Sequence, residues 1–360
     1  MSKKVIVTGV TGQDGSHMCD YLLNLSKNDS NFKDLKIYGT VRRLSVKNHE
    51  NILHLEDEDN FELIDLDLND AHSIRDVILD INPDYFINFA AQSFVAGSWK
   101  YPIQTWGTDA DAVLHILESI RRFAPDCKFY NAGSSEEFGD VIYSPQDDLH
   151  PLRPQSPYGA AKCAARHIVR VYKESYGLYA VQGWLFNHEG SRRGLDFVTR
   201  KITYNVAKFK RALEKSNLNH EQMPSFSLGN LDAQRDWSDA EDFMEGVWLM
   251  LNQQSEDPEN YVLASGEMHT IREFLETCLK YANIEFYTTG ENDNEKYFSK
   301  KGDHLIMSVD PKFYRPAEVH ELCGDPTKAE KDLGWVRKTD FAGLVKKMYQ
   351  NDYTALSYRQ

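Results

Sequence analysis

The chain has 360 residues, of which 41% are hydrophobic and 27% charged, and its formal net charge is −14. This length and composition predict a folded globular protein, either one large α/β domain with an appended lobe or two domains. The acidic balance argues against a general nucleic-acid-binding surface, because it repels phosphate backbones, but it leaves room for a local basic pocket for one nucleotide.

Cysteine content and hydropathy exclude further classes. Five cysteines, an odd number, are scattered without CxxC spacing, so neither a disulfide framework nor a metal site is predicted. No run of about eighteen apolar residues occurs, and "MSKKVIVTG" passes directly into a strand-like segment. We therefore expect a cytoplasmic protein with no membrane partner.

Six segments have the length and the β-branched or aromatic content of strands. They are residues 4–9, 36–41, 61–67, 84–91, 127–133 and 179–187. Longer segments with helical spacing lie between them, and this alternation predicts an α/β fold with a doubly wound parallel sheet. The regular alternation of strand-like and helix-like segments ends after residue 190. Residues 1–190 are thus predicted to form the first domain, and residues 191–360 mainly a smaller lobe, some segments of which can return to the first domain.

The hydrophilic stretch "GENDNEKYFSKKGDH", residues 290–304, is interpreted as a surface loop or insertion.

A glycine-rich turn follows the first predicted strand in "VTGVTGQDG". Glycines there permit tight turning and close approach of the backbone to a pyrophosphate at a helix N-terminus, as in a Rossmann-type domain. The spacing is GxxGxxG rather than GxGxxG, and glycine turns after strands are common, so it is the position at the first strand–helix junction that favours a cofactor site. The predicted cofactor-binding residues of this turn are Gly9, Thr11, Gly12, Gln13, Asp14 and Gly15.

The second predicted strand ends in "TVRRLS". Folds of this type that use NAD commonly have an acidic residue there, whereas an arginine accommodates the 2′-phosphate of NADP. Arg42 and Arg43 therefore favour NADP, the alternative being two solvated surface arginines. Asp67 and Leu68, after the third strand, are predicted to lie near the adenine.

In "SPYGAAK", Tyr158 precedes Lys162 by four positions, so both side chains project from one face of a helix. An ammonium beside a phenol lowers the phenol pKa from about 10, as a general base near neutral pH requires. This spacing also arises by chance, from a packing tyrosine and a solvated lysine. Downstream of the glycine turn, it favours a catalytic pair.

With these motifs, the sequence resembles the extended short-chain dehydrogenases/reductases and, within them, the GDP-mannose 4,6-dehydratase family. The resemblance covers nearly the whole chain and includes "FNHEGSRRG", "FVTRKI", "LGNLDAQRDW" and "RPAEVHELCGDPTKAEKDLGW". It implies that Ser134, Glu136, Tyr158 and Lys162 are catalytic. Ser134 stands where the family commonly has threonine, and Gly133 and Glu137 also differ from the usual neighbours. Ser135 and Glu137 receive no role.

The reaction that the resemblance implies has no net redox change. Tyr158, assisted by Lys162 and Ser134, removes the proton of the sugar 4-hydroxyl while hydride passes from C4 to NADP. The 4-ketone acidifies the C5 hydrogen, so Glu136 can remove it and then help to expel the 6-hydroxyl as water, before hydride returns to C6. The product is a 4-keto-6-deoxy GDP-sugar.

The remaining site residues follow from the same resemblance. The segment lining the nicotinamide side corresponds to Ala91, Gln92 and Ser93. His188 and Arg193 correspond to cofactor contacts. Residues implied to contact the GDP-sugar are Ser93, Ser134, Glu136, Asn187, Arg192, Lys201, Arg235, Arg315 and Glu318.

Three alternatives stay open at this point. A dehydratase of a related GDP-sugar, such as GDP-D-glycero-D-manno-heptose, would differ in the pocket around C6. A GDP-sugar 4-epimerase or 4-dehydrogenase would need no C5 base, so Glu136 argues against it. A non-catalytic nucleotide-sugar-binding protein would not need the Ser134, Glu136, Tyr158 and Lys162 set. The resemblance also implies a homodimer or homotetramer.

Overall fold

The computed structural model describes residues 2–215, 222–255, 257–314 and 322–358. The chain divides into two compact units. The first unit comprises Met1–Phe186, Ala240–Gly266 and Leu322–Val336, and the second comprises Asn187–Asp239, Glu267–Glu321 and Arg337–Gln360. The first unit thus includes two segments that follow the predicted boundary at residue 190. Arg315 and Glu318, predicted to bind substrate, lie outside the described residues.

The strands of the described residues, in chain order, are β1 (Lys4–Thr8), β2 (Lys36–Val41), β3 (Phe61–Asp65), β4 (Tyr85–Asn88), β5 (Lys128–Ala132), β6 (Ala180–Leu185), β7 (Asn187–Glu189), β8 (Phe226–Leu228), β9 (Gln234–Asp239), β10 (Val262–Leu263), β11 (Met268–Thr270), β12 (Phe286–Thr289), β13 (Lys296–Ser299) and β14 (Leu305–Val309). The α-helices of the same residues are α1 (Gln13–Asn28), α2 (Ala71–Ile81), α3 (Val95–Lys100), α4 (Pro102–Trp106), α5 (Ala112–Phe123), α6 (Pro157–Tyr176), α7 (Val198–Glu214), α8 (Ala240–Leu251), α9 (Ile271–Tyr281), α10 (Thr327–Leu333) and α11 (Phe341–Tyr358).

The first unit is built on a parallel sheet of seven strands in the order β10-β6-β5-β4-β1-β2-β3. The six predicted strands are all present, and the predicted fold class is confirmed. The seventh strand, β10, was not predicted, because its two residues are too few to give a periodic pattern. The strand order reverses between β1 and β4, and folds of this kind bind ligands at the carboxyl edge beside such a reversal.

Both faces of this sheet are covered by helices. Val5 and Val7 of β1 belong to a core cluster with residues of α1 and α8. Ile6 belongs to the opposite cluster, with residues of α2, α5 and α6. Successive strand residues point to opposite faces, so a strand buried on both faces is apolar throughout, as "VIV" is here.

The second unit contains a three-stranded sheet (β11-β9-β7) and a four-stranded sheet (β12-β13-β14-β8), with α7, α9 and α11 contributing to its core. The interpretation of residues 290–304 as a loop is wrong, because they include β13. In "KYFS" the side chains of Tyr297 and Ser299 are buried, while Lys296 is exposed. Charged residues on both sides make the segment hydrophilic on average, so its composition does not reveal the alternation of exposed and buried side chains in this short strand.

All five cysteines are free thiols. Within the described ranges, no cluster of three or more His, Cys, Asp or Glu side chains could hold a metal ion. Among the helices described, none is both long and apolar enough to cross a membrane.

Candidate active site

The glycine turn after β1 has a geometry that side chains would disrupt. Gly9 has a φ of +69°, and its carbonyl accepts a hydrogen bond from Gly12 N at 2.9 Å. A Cβ on Gly15 would lie 2.5 Å from Gly9 O, so the helix approaches the turn as closely as its backbone permits. Gly12 is the N-cap of α1 and has no side chain with which to cap the helix. The first-turn N–H groups can therefore bind an anion, and the turn fits a dinucleotide pyrophosphate.

The other predicted residues of this turn are held locally. Thr11 O accepts a hydrogen bond from Asn51 Nδ2 at 2.9 Å, and Gln13 Nε2 donates to Asp14 Oδ1 at 3.0 Å. These contacts keep the turn and the start of α1 in a fixed conformation.

The predicted adenosine-side residues follow β2 and β3, which neighbour β1. Arg42 and Arg43 come directly after β2 and are exposed. Asp67 Oδ1 accepts a hydrogen bond from Asn69 N at 2.9 Å, and Leu68 is buried. Because the carboxyl ends of parallel strands meet at one edge of the sheet, all four residues lie at the same edge as the glycine turn.

The motif "GSSEEFG" forms a short turn after β5. Ser134 is the N-cap of a single 3₁₀ turn, Ser135–Glu137, and its Oγ accepts a hydrogen bond from Glu136 N at 3.2 Å. Glu137 Oε1 accepts from Ser134 N at 2.8 Å, which completes a capping box. The side chain of Glu136 is partly exposed, while Glu137 is fully buried. The two adjacent carboxylates thus lie in different environments.

Helix α6 brings Tyr158 and Lys162, the other two predicted catalytic residues, to this turn. Ser156 caps the helix by accepting from Gly159 N at 3.0 Å, and Tyr158 lies in the first helical turn. The hydroxyl of Ser134 hydrogen-bonds the phenol of Tyr158. Lys162 Nζ donates to Ala132 O at 2.9 Å and lies 5.7 Å from the centre of the Tyr158 ring. Ser134, Tyr158 and Lys162 are therefore brought together, with Glu136 on the same turn as Ser134.

The prediction that the Tyr158 pKa is lowered is wrong when only the groups of the protein act on it. Burial raises the pKa of the phenol well above its ordinary value, and the negative charges of Asp109, Glu136 and Glu137 raise it further. The hydrogen bond from Ser134 acts in the other direction and lowers the pKa. A phenolate at this position needs additional positive charge beside it.

Asp109 was missed by the sequence analysis. It lies in a π-helical turn, Gly107–Asp111, is 1% exposed, and accepts a hydrogen bond from Gln92 N at 2.8 Å. Its second oxygen, Oδ2, has no hydrogen-bond partner among the described residues. Burial raises the carboxyl pKa, and the charge of Lys162 partly opposes this shift. Asp109 thus fixes the backbone of the predicted segment Ala91–Ser93 at Gln92. No sequence motif marks Asp109.

The second unit contains Asn187, predicted to face the substrate diphosphate, and His188 and Arg193, predicted to contact the cofactor. Asn187 and His188 belong to β7 and are partly exposed. Arg193 Nε lies 3.0 Å from Glu189 Oε2, and its guanidinium lies 3.6 Å from the centre of the Phe197 ring. Arg192, on the same loop, is partly exposed.

Lys201 and Arg235 also belong to the second unit. Lys201 Nζ lies 3.8 Å from the centre of the Phe313 ring. Burial and the nearby charge of Lys312 lower the pKa of this ammonium, and Asp310 partly offsets the shift. Arg235 lies in β9, and its Nη1 donates to Gln234 O at 2.6 Å. The predicted site residues are thus divided between the units: the catalytic set and glycine turn in the first, and these basic residues in the second.

A parallel sheet of this order, with a glycine turn after β1 and a Ser–Tyr–Lys set after β5 and on α6, defines a Rossmann-fold protein of the short-chain dehydrogenase/reductase class. Comparison with known proteins narrows the class. The family model described as GDP-mannose 4,6 dehydratase matches residues 6–348. The chain belongs to the GDP-mannose 4,6-dehydratase family.

Curated relatives of the same name match the chain over most of their length. A GDP-mannose 4,6-dehydratase from Vibrio cholerae serotype O1 is 39% identical, with 98% of this chain and 94% of the relative covered. A GDP-mannose 4,6 dehydratase from Cricetulus griseus is 40% identical, covering 97% of this chain and 91% of the relative. The Homo sapiens relative of the same name is 39% identical, with 96% and 90% covered.

Solved structures of lower identity share the fold. The dTDP-glucose 4,6-dehydratase DesIV from Streptomyces venezuelae, solved with NAD and TYD, superposes with a TM-score of 0.77 at 19% identity, covering 99% of this chain and 98% of the other. A UDP-glucose 4-epimerase from Thermotoga maritima gives a TM-score of 0.76 at 19% identity, with 99% of both chains covered.

Proposed function

We propose that this chain is a GDP-mannose 4,6-dehydratase, which converts GDP-D-mannose to GDP-4-keto-6-deoxy-D-mannose and water with NADP as cofactor. The observation that carries the proposal is the convergence of Ser134, Tyr158 and Lys162, with Glu136 on the same turn, in a chain that matches the family model over residues 6–348. An epimerase or 4-dehydrogenase would have no use for the Glu136 carboxylate.

The first task of the site is to deprotonate the 4-hydroxyl. Tyr158 takes this proton, and Ser134, already hydrogen-bonded to the phenol, holds the phenol and the sugar oxygen in one arrangement. Lys162 uses one N–H on Ala132 O, which leaves two for the cofactor ribose and the phenolate. Burial of the phenol and the charges of nearby carboxylates raise the Tyr158 pKa, so it stays protonated until a cationic group is bound nearby.

The second task is to remove the proton from C5 and to expel the 6-hydroxyl. A ketone at C4 acidifies the C5 hydrogen, and the carboxylate of Glu136 takes it as base. The same proton, now on Glu136, protonates the departing 6-hydroxyl, so water leaves and the carboxylate is regenerated. Partial exposure of Glu136 suits a group that must act in both protonation states.

The chain offers a matching set of residues for the cofactor. The glycine turn and the first turn of α1 would hold the pyrophosphate, and Arg42 and Arg43 the 2′-phosphate. When bound, an oxidised nicotinamide supplies a hydride acceptor and a positive ring charge. His188 and Arg193 are the further contacts we propose for it. For the GDP-sugar we propose Ser93, Asn187, Arg192, Lys201 and Arg235, together with Arg315 and Glu318, and we propose a homodimer or homotetramer.

The test is incubation with GDP-mannose and NADP+ in D₂O, followed by mass spectrometry and NMR of the sugar nucleotide. We expect loss of water and one solvent deuterium at C5, because the proton that Glu136 takes from C5 leaves with the 6-hydroxyl as water and C5 is later reprotonated from solvent. Glu136→Gln is expected to abolish the loss of water. Full turnover in this variant contradicts the dehydratase assignment, and dehydration of GDP-D-glycero-D-manno-heptose with GDP-mannose unchanged selects the heptose substrate.

Cofactor choice has its own test. Replacing both Arg42 and Arg43 by alanine should weaken NADPH binding by roughly tenfold to a hundredfold, since charge-assisted hydrogen bonds contribute about 1.5–3 kcal/mol. Binding of NADH should stay constant, because it has no 2′-phosphate. Equal losses for both cofactors, measured by calorimetry, contradict the proposed role. Arg75→Ala, in an exposed ion pair on α2, is the control.

A further inference from the structure

A chain of buried hydrogen bonds crosses the first unit from strand to strand. Thr8 Oγ1 donates to Asn88 Oδ1 at 2.6 Å, Asn88 Nδ2 to Asn131 Oδ1 at 2.7 Å, and Asn131 Nδ2 to Gln182 Oε1 at 2.7 Å. Gln182 Nε2 then donates to Glu137 Oε1 at 3.1 Å. The first four residues come from β1, β4, β5 and β6, which are successive neighbours in the sheet. All five side chains are at most 2% exposed.

In this series of hydrogen bonds each side chain donates to the next, and the series ends at Glu137. A carboxylate only accepts hydrogen bonds, so Gln182 must present its NH₂ group to Glu137 and its oxygen to Asn131. The same requirement then fixes the orientations of Asn131 and Asn88. The charge at one end therefore determines how three amides are oriented, and the aligned dipoles strengthen one another in a medium of low dielectric constant.

Glu137 is itself held by Arg166 of α6. Arg166 Nε donates to Glu137 Oε2 and Nη2 to Glu137 Oε1, while Nη1 donates to Gln182 O at 2.8 Å and Nη2 also to Gly183 O at 3.3 Å. The guanidinium carbon lies 3.5 Å from the centre of the Trp184 ring. Both partners are buried, so removal of either leaves an uncompensated charge.

Glu137 contacts the predicted catalytic set directly, and its partner Gln182 makes a second contact. Glu137 Oε1 accepts from Ser134 N, and Gln182 Nε2 donates to the carbonyl of Lys162 at 3.1 Å. Ser134 carries the hydroxyl that binds the Tyr158 phenol. The same buried carboxylate thus fixes the turn directly and the first part of α6 through Gln182.

We propose that Glu137, paired with Arg166 at the end of this hydrogen-bond chain, is a positioning residue that sets the Ser134–Glu136 turn against Tyr158 and Lys162. It touches neither substrate nor cofactor in this role and acts through the Ser134 backbone. The inference rests on the proposed function for its kinetic consequence, but its structural consequence can be measured without any substrate.

The decisive variant is Glu137→Gln. Its amide keeps one oxygen, but the NH₂ group faces Arg166 Nε, a donor, so the side chain cannot serve Arg166, Gln182 and Ser134 together. Glu174→Gln is the matched control, because Glu174 also pairs with an arginine, Arg170, on the same helix but is exposed. Arg166→Lys is a second variant, which keeps the positive charge and loses the fork geometry.

For Glu137→Gln we expect kcat to fall by about tenfold to a hundredfold with KM within about twofold, as misplacement of a reacting group predicts. The acid limb of the pH profile of kcat should move to lower pH. The groups that raise the Tyr158 pKa are Asp109, Glu136 and Glu137, and removing one of these charges lowers it, as does the freed charge of Arg166. Arg166→Lys, which keeps the positive charge, should lower kcat less than Glu137→Gln does, and Glu174→Gln should change neither quantity.

Hydrogen exchange of the peptide containing residues 133–139 is the measurement independent of activity. Faster exchange of the Ser134 amide in Glu137→Gln and Arg166→Lys than in Glu174→Gln is expected. If the exchange of the Ser134 amide is unchanged in Glu137→Gln, the inference is overturned. A lower Tm of this variant with normal kcat per folded molecule also overturns it. A wild-type chain that dehydrates no GDP-sugar overturns the proposed function instead, and the exchange result then decides the positioning role by itself.

Discussion

Each unit has an arginine paired with a buried carboxylate, and the two pairs hold different kinds of structure. Glu137 and Arg166 are 29 positions apart and join the turn after β5 to α6. Asp352 and Arg200 are 152 positions apart and join α11 to α7, where Arg200 Nε donates to Asp352 Oδ1 at 2.7 Å. Arg200 Nη1 also donates to the carbonyls of Ser191 and Arg193.

The difference shows how one interaction serves two purposes. In the first unit the carboxylate accepts the backbone N–H of Ser134, so its geometry bears on the turn that carries two of the predicted catalytic residues. In the second unit Asp352 accepts from the Thr203 hydroxyl at 2.7 Å and ties two helices together, while Arg200 fixes the loop that carries the predicted ligand-binding arginines. We therefore expect the first pair to govern turnover, and the second to govern stability and binding.

The largest effect should come from the chemistry itself, in the first unit. Tyr158→Phe should lower kcat by about a thousandfold, or about 4 kcal/mol, because it removes the general base while keeping the ring. Steady-state kinetics measures it, with Tyr172→Phe as the control. Tyr172 lies on the same helix and donates to Glu118 at 3.0 Å. A loss of less than tenfold contradicts the role of Tyr158.

Next in size is Asp352→Asn, which tests the second pair. It should cost about 3 kcal/mol of the free energy of unfolding, because Arg200 loses its buried counter-charge. Urea unfolding measures this, and kinetics should show a raised KM for the GDP-sugar with kcat nearly unchanged. Glu214→Gln, which removes an exposed charge at the end of α7 that accepts from the Tyr353 hydroxyl of α11, should cost less than about 1 kcal/mol. A fall in kcat as large as that in Glu137→Gln breaks the distinction between the pairs.

Gly15→Ala should cost about 2 kcal/mol, expressed mainly as weaker cofactor binding, because the new Cβ overlaps Gly9 O and forces the glycine turn apart. Calorimetry with NADPH measures the change. Gly107→Ala is the control, since its Cβ would meet Asn69 at an ordinary 3.5 Å. Unaltered affinity in Gly15→Ala removes this turn from the cofactor site.

The smallest expected effect is a displaced pH profile in Asp109→Asn. The Asp109 charge raises the Tyr158 pKa, so neutralising it lowers that pKa, and the acid limb of kcat/KM moves to lower pH. The amide oxygen still accepts from Gln92 N, so stability should change little. Movement of the limb to higher pH would show that Asp109 acts on Tyr158 in the opposite sense.

Much of the first unit could be predicted from sequence because its signals are local. The six strands are apolar runs between helical segments, and the glycine turn and the Tyr158–Lys162 spacing lie within a few residues. The pairing of Glu137 with Arg166 could not be predicted, because which helix residue meets the turn depends on how α6 packs. The direction of the Tyr158 pKa depends on burial and on Asp109, neither of which spacing reveals. The strands β10 and β13 are too short or too polar to show a period.

The discontinuity of the first unit has a consequence for synthesis of the chain. When residue 186 has left the ribosome, the sheet still lacks β10, and the core still lacks α8 and the fully buried Trp335, whose Nε1 donates to Asp242 O at 2.9 Å. Until then β6 presents an unpaired edge, the kind of surface that recruits other strands. The first unit is therefore completed almost last, and a nascent chain is vulnerable to aggregation from the time β6 is made until Val336 has been added.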